Sequence, residues 1–238
     1  IRDIETINLE LIYADYGSVE RSLERFGRKA KSGDKDAQVA VGVLERVLAH
    51  LGEGKPARTL DLTPDERLVA RNLFLLTMKP VEYIANVDEA GALGNKYVDL
   101  VREYAAAQHS TVVVICAAVE GEIVALDPDD RADFLAELGQ TEPGLDRVIR
   151  AGYELLGLNT FFTSGDKQVR AWPFRHGATA PQAAGSVHTD FERGFIRAEV
   201  IGYDDFIEFG GEQGAKEAGR WRLEGKDYTV QEADIILF

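Results

Sequence analysis

Asn86 and Glu89 are placed where chemistry is easiest to build. Val81–Ala85 reads as a short apolar strand, and Asn86-Val87-Asp88-Glu89 leaves its C-terminal end. In open α/β sheets that edge is where ligands sit. An Asn amide offers a donor beside an acceptor, which suits adenine, whose amino group lies next to a ring nitrogen. Asn-x-x-Glu alone is unspecific and elsewhere marks the start of a helix, so its position after a strand gives it weight. A second segment follows one strand–helix–strand unit later. Thr111–Ala117 is rich in β-branched residues and reads as a strand buried on both faces, the texture of a helix-covered parallel sheet. It ends in Cys116-Ala117-Ala118, where small side chains would let backbone N–H groups approach a ligand base. The competing reading is a core strand with Cys116 as a buried thiol.

The spacing of these segments matches the two base-binding loops of G-proteins. There the first loop is Asn-Lys-x-Asp, whose Asp accepts both guanine N–H groups, and the second is Ser-Ala-Lys. Here Asn86-Val87-Asp88-Glu89 lacks the Lys and ends in Glu, and Cys116-Ala117-Ala118 takes the second place. Longer strings in the same order resemble the YchF family of Obg-like ATPases. They are Asp3-Ile4-Glu5-Thr6-Ile7-Asn8, the Asn-x-x-Glu loop, Cys116-Ala117-Ala118-Val119-Glu120, and Glu142-Pro143-Gly144-Leu145-Asp146-Arg147-Val148-Ile149-Arg150. Further on come Arg170-Ala171-Trp172, Gly177-Ala178-Thr179-Ala180-Pro181-Gln182, Val187-His188-Thr189-Asp190-Phe191-Glu192-Arg193-Gly194 and Gly211–Gly219. These last strings resemble that family's TGS domain.

The resemblance implies a nucleotide-binding P-loop NTPase that binds and hydrolyses ATP, GTP less well, with Mg²⁺ as its ion. It makes Asn86, Val87, Glu89, Cys116, Ala117 and Ala118 the nucleotide-binding residues. It implies association with ribosomes or RNA, a role in translation or stress, and a cytoplasmic protein. Such proteins open with a Gly-rich P-loop and a Mg²⁺-binding switch, and neither lies in these 238 residues. The run Gly211-Glu212-Gln213-Gly214-Ala215-Lys216 lacks the G-x-x-x-x-G-K-[ST] spacing. The resemblance therefore places phosphate cradle and metal ligands upstream of Ile1, and the chain alone is expected to be inactive. The alternative is a non-catalytic module that clasps RNA, a ribosome or a protein.

The last third carries the one arrangement suited to nucleic acid. Lys167, Arg170, Arg175, Arg193 and Arg197 interleave with Trp172, Phe174 and Phe195. Aromatic side chains on strands can stack bases while guanidinium groups hold phosphates; the competing reading makes these aromatics core, which is preferred for Phe195 and left open for Trp172. We take Arg170, Arg175, Arg193 and Arg197 as the candidate contacts, against the simpler reading in which they pair with Asp190, Glu192 and Glu199. His188 beside Asp190 looks like a base with its orienter, but no nucleophile or metal-ligand partner has suitable spacing.

The elements that must position these residues follow from periodicity. Residues 3–31 read as a long helix with Ile4, Ile7, Leu11, Ala14, Val19, Leu23, Phe26 and Ala30 inward. After the Ser32-Gly33-Asp34 break a second helix carries Ala37, Val41, Leu44, Leu48 and Leu51. Thr63-Pro64-Asp65-Glu66 starts another helix. Residues 91–107 suit a helix with Leu100, Val101 and Tyr104 inward, and helices follow at 128–138 and 144–156. From Asn159 short strands alternate with Gly-bearing turns, with one helix at 180–185. The fold expected is α/β plus α+β: residues 1–70 an antiparallel helical hairpin inserted in a partial P-loop G-domain sheet, 71–156 the rest of that domain, and 157–238 a β-grasp TGS domain.

Composition bounds these readings. The net charge is −14, with 45% hydrophobic residues and a single cysteine. The acid repels phosphate backbones at long range and so excludes indiscriminate nucleic-acid binding. One cysteine permits no internal disulfide and suits a reducing cytosol. No apolar run reaches the ~20 residues of a membrane span.

Overall fold

Gly33, at φ 93°, reverses the chain between its two longest helices, α1 (Arg2–Lys31) and α2 (Lys35–Gly52). The structure is a computed structural model that describes residues 1–91, 94–165 and 168–238. Positive φ is cheap for a residue without Cβ, and Asp34 then caps α2 by accepting from the Ala37 N–H at 3.0 Å. The two helices pack antiparallel over Ile12, Val19, Val43, Leu44, Val47 and Leu51. The helix α3 (Pro64–Arg71) begins with the expected reciprocal cap, Thr63 Oγ1 accepting from Glu66 N–H and Glu66 accepting from Thr63 N–H. That backbone bond, and then Arg46, hold the Glu66 carboxyl below its usual range.

Period alone misplaced part of the buried face of α1. Ile7 and Ala14 are exposed, while Ile12 and Asp15 are buried. Asp15 decides the rotation of the helix. Its carboxylate is 3% exposed and accepts from Leu76 N–H at 2.9 Å, Thr77 N–H at 2.7 Å and Thr77 Oγ1–H at 2.7 Å. Thr77 Oγ1 in turn accepts from Ala57 N–H at 3.0 Å. A buried charge persists only where such bonds replace water, so the helix must turn Asp15 inward whatever its apolar neighbours prefer.

The chain then runs through β1 (Glu82–Asn86), α4 (Lys96–Ala106), β2 (Thr111–Ile115), α5 (Ala117–Ala125), α6 (Pro128–Glu137) and α7 (Gly144–Leu156). β1 and β2 pair in parallel, Glu82 opposite Thr111 and Asn86 opposite Ile115. β2 ends two residues earlier than expected, because Cys116 becomes the N-cap of α5, a helix that the β-branched run conceals. Nor is β2 buried on both faces: Val112–Ile115 are half-buried, and Ile84 of β1 is 51% exposed. Two strands do not cover their own faces. In α4 the inward residues are Val98 and Ala105, whereas Leu100 is exposed; Asn95, capping the Tyr97 and Val98 N–H groups, starts the helix five residues later than expected and sets its rotation.

The chain divides into two compact units, Ile1–Arg147 and Val148–Phe238, with the division inside α7. The second unit holds β3 (Leu158–Gly165), β4 (Gln168–Arg175), α8 (Ala180–Val187), α9 (Thr189–Arg193), β5 (Ala198–Ile201), α10 (Tyr203–Glu208), α11 (Glu212–Glu217), β6 (Arg222–Glu224) and β7 (Ile235–Leu237). Its sheet runs β4-β3-β7-β5-β6, antiparallel except for β3 beside β7. Ala180, Ala183 and Ala184 bring α8 close against Phe161, Phe174 and Ile236. Of the helices in this unit only α8 is expected from the sequence; α9, α10 and α11 are of one or two turns and too short to show a period. Just before β7, the central strand, Asp234 is buried and accepts from Tyr228 Oη–H at 2.7 Å; burial and this donation push the Tyr228 phenol above its usual range.

Replacing Asp15 removes the acceptor for three donors of which two are main-chain groups. We expect Asp15→Ala to lower the unfolding free energy by ~1–3 kcal/mol for each buried donor left unpaired, read from urea denaturation followed by circular dichroism. Val39→Ala, on the exposed face of α2, serves as control and shifts the midpoint little.

Candidate functional site

The parallel register brings the two predicted loops together at one strand edge. Asn86 closes β1 and Ile115 closes β2 as register partners. Beyond them Val87 N–H donates to Ile115 O at 2.8 Å, and Asn86 Oδ1 accepts from Ala117 N–H at 3.0 Å. The side chain of one loop is thus bonded to the backbone of the other. With Oδ1 so engaged, the Asn86 amide turns its NH₂ outward as a donor and keeps one acceptor lone pair. Ala118, on the first turn of α5, is exposed beside it.

Glu89 is held by a tight turn. Asp88 Oδ1 accepts from Gly91 N–H at 2.8 Å. A Cβ on Gly91 would lie 2.7 Å from Asn95 Nδ2 and 3.0 Å from Asp88 Oδ1, so only glycine fits there without displacement. The part of the expected 91–107 helix at residues 92 and 93 lies outside the described residues.

Glu89 and Cys116 face a cleft of about 470 Å³ whose other walls are Ala90, Val119, Glu120, Glu137, Leu138 and Gln140. Cys116, Val119 and Leu138 are its apolar surfaces, and the carboxylates and the Gln140 amide its polar ones. No Lys or Arg is among these lining residues, so the cleft is unsuited to phosphate and suited to a flat group with hydrogen-bond donors on its edge. Cys116 is buried as the core reading expects, and it lines the cleft as well. Glu120 is not free: its two oxygens accept from Gly144 N–H at 2.7 Å and Leu145 N–H at 3.0 Å, the open end of α7. Carboxylates are favoured at that positive end. Arg147 of the same helix donates to Val114 O at 3.0 Å and to Gln140 Oε1 at 3.4 Å, tying the cleft wall to β2. Sequence reading missed Glu137, Leu138 and Gln140, which lie more than twenty residues from Cys116 and carry no local signal. Glu120 entered the sequence reading only as the last residue of the string Cys116-Ala117-Ala118-Val119-Glu120, with no role attached.

The arginines of the second unit are not one cluster. Arg170 and Arg175 lie on the edge strand β4, five residues apart and so on opposite faces. β5 lies three strand positions from β4, about 14 Å across the sheet, and Arg197 precedes it, displaced along the strands from Arg170 as well. Arg170 stacks over the Trp172 ring at 5.3 Å, and Trp172 Nε1–H donates to Thr163 Oγ1 at 2.9 Å while the ring packs on the core. Phe174 and Phe195 are buried core residues, not stacking platforms. Arg197 borders a cleft of about 650 Å³ with Phe191, Phe195, Ile196 and Phe238, and Ile196 there is 83% exposed. Among the described residues none of the four arginines forms an ion pair, and Lys167 lies outside the described residues.

His188 Nδ1 accepts from Asp190 N–H at 3.2 Å and so caps α9; it is a structural histidine. Gly211–Lys216 is no phosphate loop. It forms the start of α11, and Lys216 Nζ sits 3.7 Å from the Trp221 ring centre. No group of three or more metal-ligating side chains converges among the described residues, and no described helix is long and apolar enough to cross a membrane.

Residues 158–238 match the YchF-GTPase C-terminal family, described as a protein of unknown function, DUF933. The whole chain is similar to the ribosome-binding ATPase YchF of Escherichia coli O157:H7, 56% identical over 236 residues, and to that of Pasteurella multocida (strain Pm70), 54% identical over 236 residues; each match takes in 99% of this chain and 65% of the relative. The Bacillus subtilis (strain 168) protein of the same name is 49% identical over 241 residues, all of this chain and 66% of the relative. The chain thus spans about two-thirds of the length of these relatives. Among solved structures the Schizosaccharomyces pombe YchF GTPase superposes with a TM-score of 0.85 at 30% identity, over 99% of this chain and 65% of that one. The mixed α/β fold is therefore that of the YchF structure.

Removing the Glu120 carboxylate leaves two N–H groups of α7 without their acceptor. We expect Glu120→Ala, and equally Gly144→Ala, whose Cβ would lie 2.5 Å from Glu120 Oε1, to destabilise the first unit by ~1–3 kcal/mol. Denaturant melts with hydrogen exchange at Gly144 and Leu145 measure it.

Proposed function

Because this chain belongs to the YchF family, matching the C-terminal part of its proteins, we propose that it supplies the base-recognising side of an ATP-binding and ATP-hydrolysing P-loop NTPase. On this reading Asn86, Val87, Glu89, Cys116, Ala117 and Ala118 hold the base. Residues 1–70 form the inserted helical hairpin, 71–156 the C-terminal part of the nucleotide-binding domain, and 157–238 a TGS domain. The observation that carries the proposal is the Asn86–Ala117 hydrogen bond at the head of the parallel pair, beside a cation-free cleft. The half-covered faces of β1 and β2 suit a fragment of a larger sheet. A mixed sheet with its first and last strands parallel and side by side, crossed by α8, is what a β-grasp domain requires. Phosphates and Mg²⁺ would be held by residues outside these 238, since the cleft offers no cation to phosphate and no ligand cluster to a metal.

The relatives are named both ATPase and GTPase, so the base is the sharper question. Guanine presents two adjacent donors and asks for a carboxylate at the loop end in line with it. Here Asn86 meets the base edge with an amide, which serves the donor–acceptor edge of adenine. Calorimetric titration of the full-length protein is expected to show tighter binding of ATP than GTP; equal or tighter GTP binding would sink the assignment. Asn86→Ala is expected to weaken ATP by ~1–3 kcal/mol, about fivefold to 150-fold.

The relatives' name also brings the ribosome into the proposal, and with it a cytoplasmic location. The ribosome-facing role is assigned to Arg170, Arg175, Arg193 and Arg197, which have no ion-pair partner among the described residues of an otherwise acidic surface. Arg170→Glu/Arg175→Glu/Arg193→Glu/Arg197→Glu is expected to lower the salt slope of ribosome binding by ~0.7–0.9 for each phosphate no longer neutralised. Co-sedimentation at wild-type affinity across a salt series, with circular dichroism unchanged, would discard these residues.

A further inference from the structure

We propose that the outer face of the second unit's sheet is a docking surface for a basic, amphipathic helix of another protein. In a sheet with one face toward water, strands alternate apolar and polar residues. β7, the third of the five strands, reads Ile235-Ile236-Leu237, and β5 ends in Val200-Ile201. That is the texture of strands covered on both sides. The helix α8 covers one side, where Val200, Ile236 and Phe161 are buried in its core.

The alternate positions form the other face. Register places Leu223, Glu199 and Leu237 side by side on β6, β5 and β7, and Ser164 and Val169 continue the row on β3 and β4. The apolar members of this row are open: Leu223, Leu237 and Val169 are 60%, 54% and 68% exposed. Four strand spacings make the row about 19 Å wide, room for one helix of roughly 10–12 Å diameter. α10 covers one corner of the face, where the Tyr203 ring lies 6.3 Å from that of Phe162. Ile207, one turn further along α10, is again 60% exposed. A contiguous apolar face of this kind marks an interaction site.

Charge identifies the occupant. Glu199 stands between the two leucines, half-buried, and among the described residues it forms no ion pair. Nor do Asp204 and Glu208, exposed on α10, the helix that follows β5. The row itself holds no Lys or Arg. A second copy of this face would set carboxylate against carboxylate, and RNA or an anionic membrane would be repelled. A helix with Lys or Arg among branched apolar residues answers both features. Its cation meets Glu199 where leucines exclude water, and its apolar side chains cover Leu223 and Leu237. This inference rests on neither the nucleotide nor the ribosome assignment.

The probe is a synthetic amphipathic peptide of about five turns, leucine on one face and lysine on the other, titrated into the full-length protein by fluorescence anisotropy. It is expected to bind, and the same peptide with glutamate for lysine at least about tenfold more weakly. Glu199→Lys and Leu223→Ser/Leu237→Ser are each expected to weaken the lysine peptide at least about tenfold. The melting temperature is expected to stay or rise, because the leucines removed are exposed. Glu199→Gln, which keeps the shape, carries the charge test if Glu199→Lys does not fold, with a loss of about threefold. Full-length protein that does not bind overturns the proposal, including the case in which only the 238-residue chain binds, since the rest of the protein then covers the face. Equal binding of the two peptides, or of the parent and the Glu199 variants, also overturns it. A melting temperature lowered by the two serines assigns the leucines to the fold and overturns it as well.

Discussion

The first unit depends on a carboxylate in a place where charge is expensive. Asp15 is buried in the middle of α1 and accepts from the backbone and side chain of residues 76 and 77, just before β1 begins. Thr77 passes the connection to Ala57, in the segment that follows α2. One residue therefore fixes the rotation of the long helix, the return of the hairpin and the start of the strand that ends in Asn86. Each bond to a charged group is worth roughly 1.5–3 kcal/mol once formed, and losing one partner costs a similar amount. Such an arrangement tolerates little alternative geometry, which is how a hairpin of about 45 Å can be held to one orientation at its root.

The cleft depends on the same economy of polar groups. Asn86 satisfies Ala117, Asp88 satisfies Gly91, and Glu120 satisfies the two leading N–H groups of α7. Each bond serves the fold; Glu120 among these residues also lines the cleft, whose walls carry carboxylates and no cation. One side of the Asn86 amide is thus bound to the protein, while the residue as a whole stays exposed.

In the second unit the apolar core takes Phe195, as the core reading expects, and Phe174 with it. Phe174 is core because β4 turns it toward α8 and Phe161, the two rings edge-to-face at 5.8 Å, and Phe195, in the segment before β5, packs against the Phe238 ring at 6.2 Å. Trp172 is divided, its ring against the core and its N–H on Thr163. What remains outside is charge: Arg170 and Arg175 on β4, Arg193 at the end of α9 and Arg197 just before β5, spread rather than gathered.

By itself the sequence determined the helical hairpin, the α3 cap, the strand–helix–strand unit, most strands of the last third and the two loops with Asn86, Glu89 and Cys116. These features rest on local signals, namely periodicity, capping residues, β-branched runs and turn glycines, whose causes act within a few residues. Only the tertiary structure decided the face of α1, the early end of β2, the exposed side of Leu100, the small helices after α8 and the far wall of the cleft at Glu137, Leu138 and Gln140. Those depend on partners distant in the chain, Asp15 with Thr77, Asn86 with Ala117 and Glu120 with Gly144. A buried polar group takes its position from whichever donor reaches it, and no period within the chain encodes that partner.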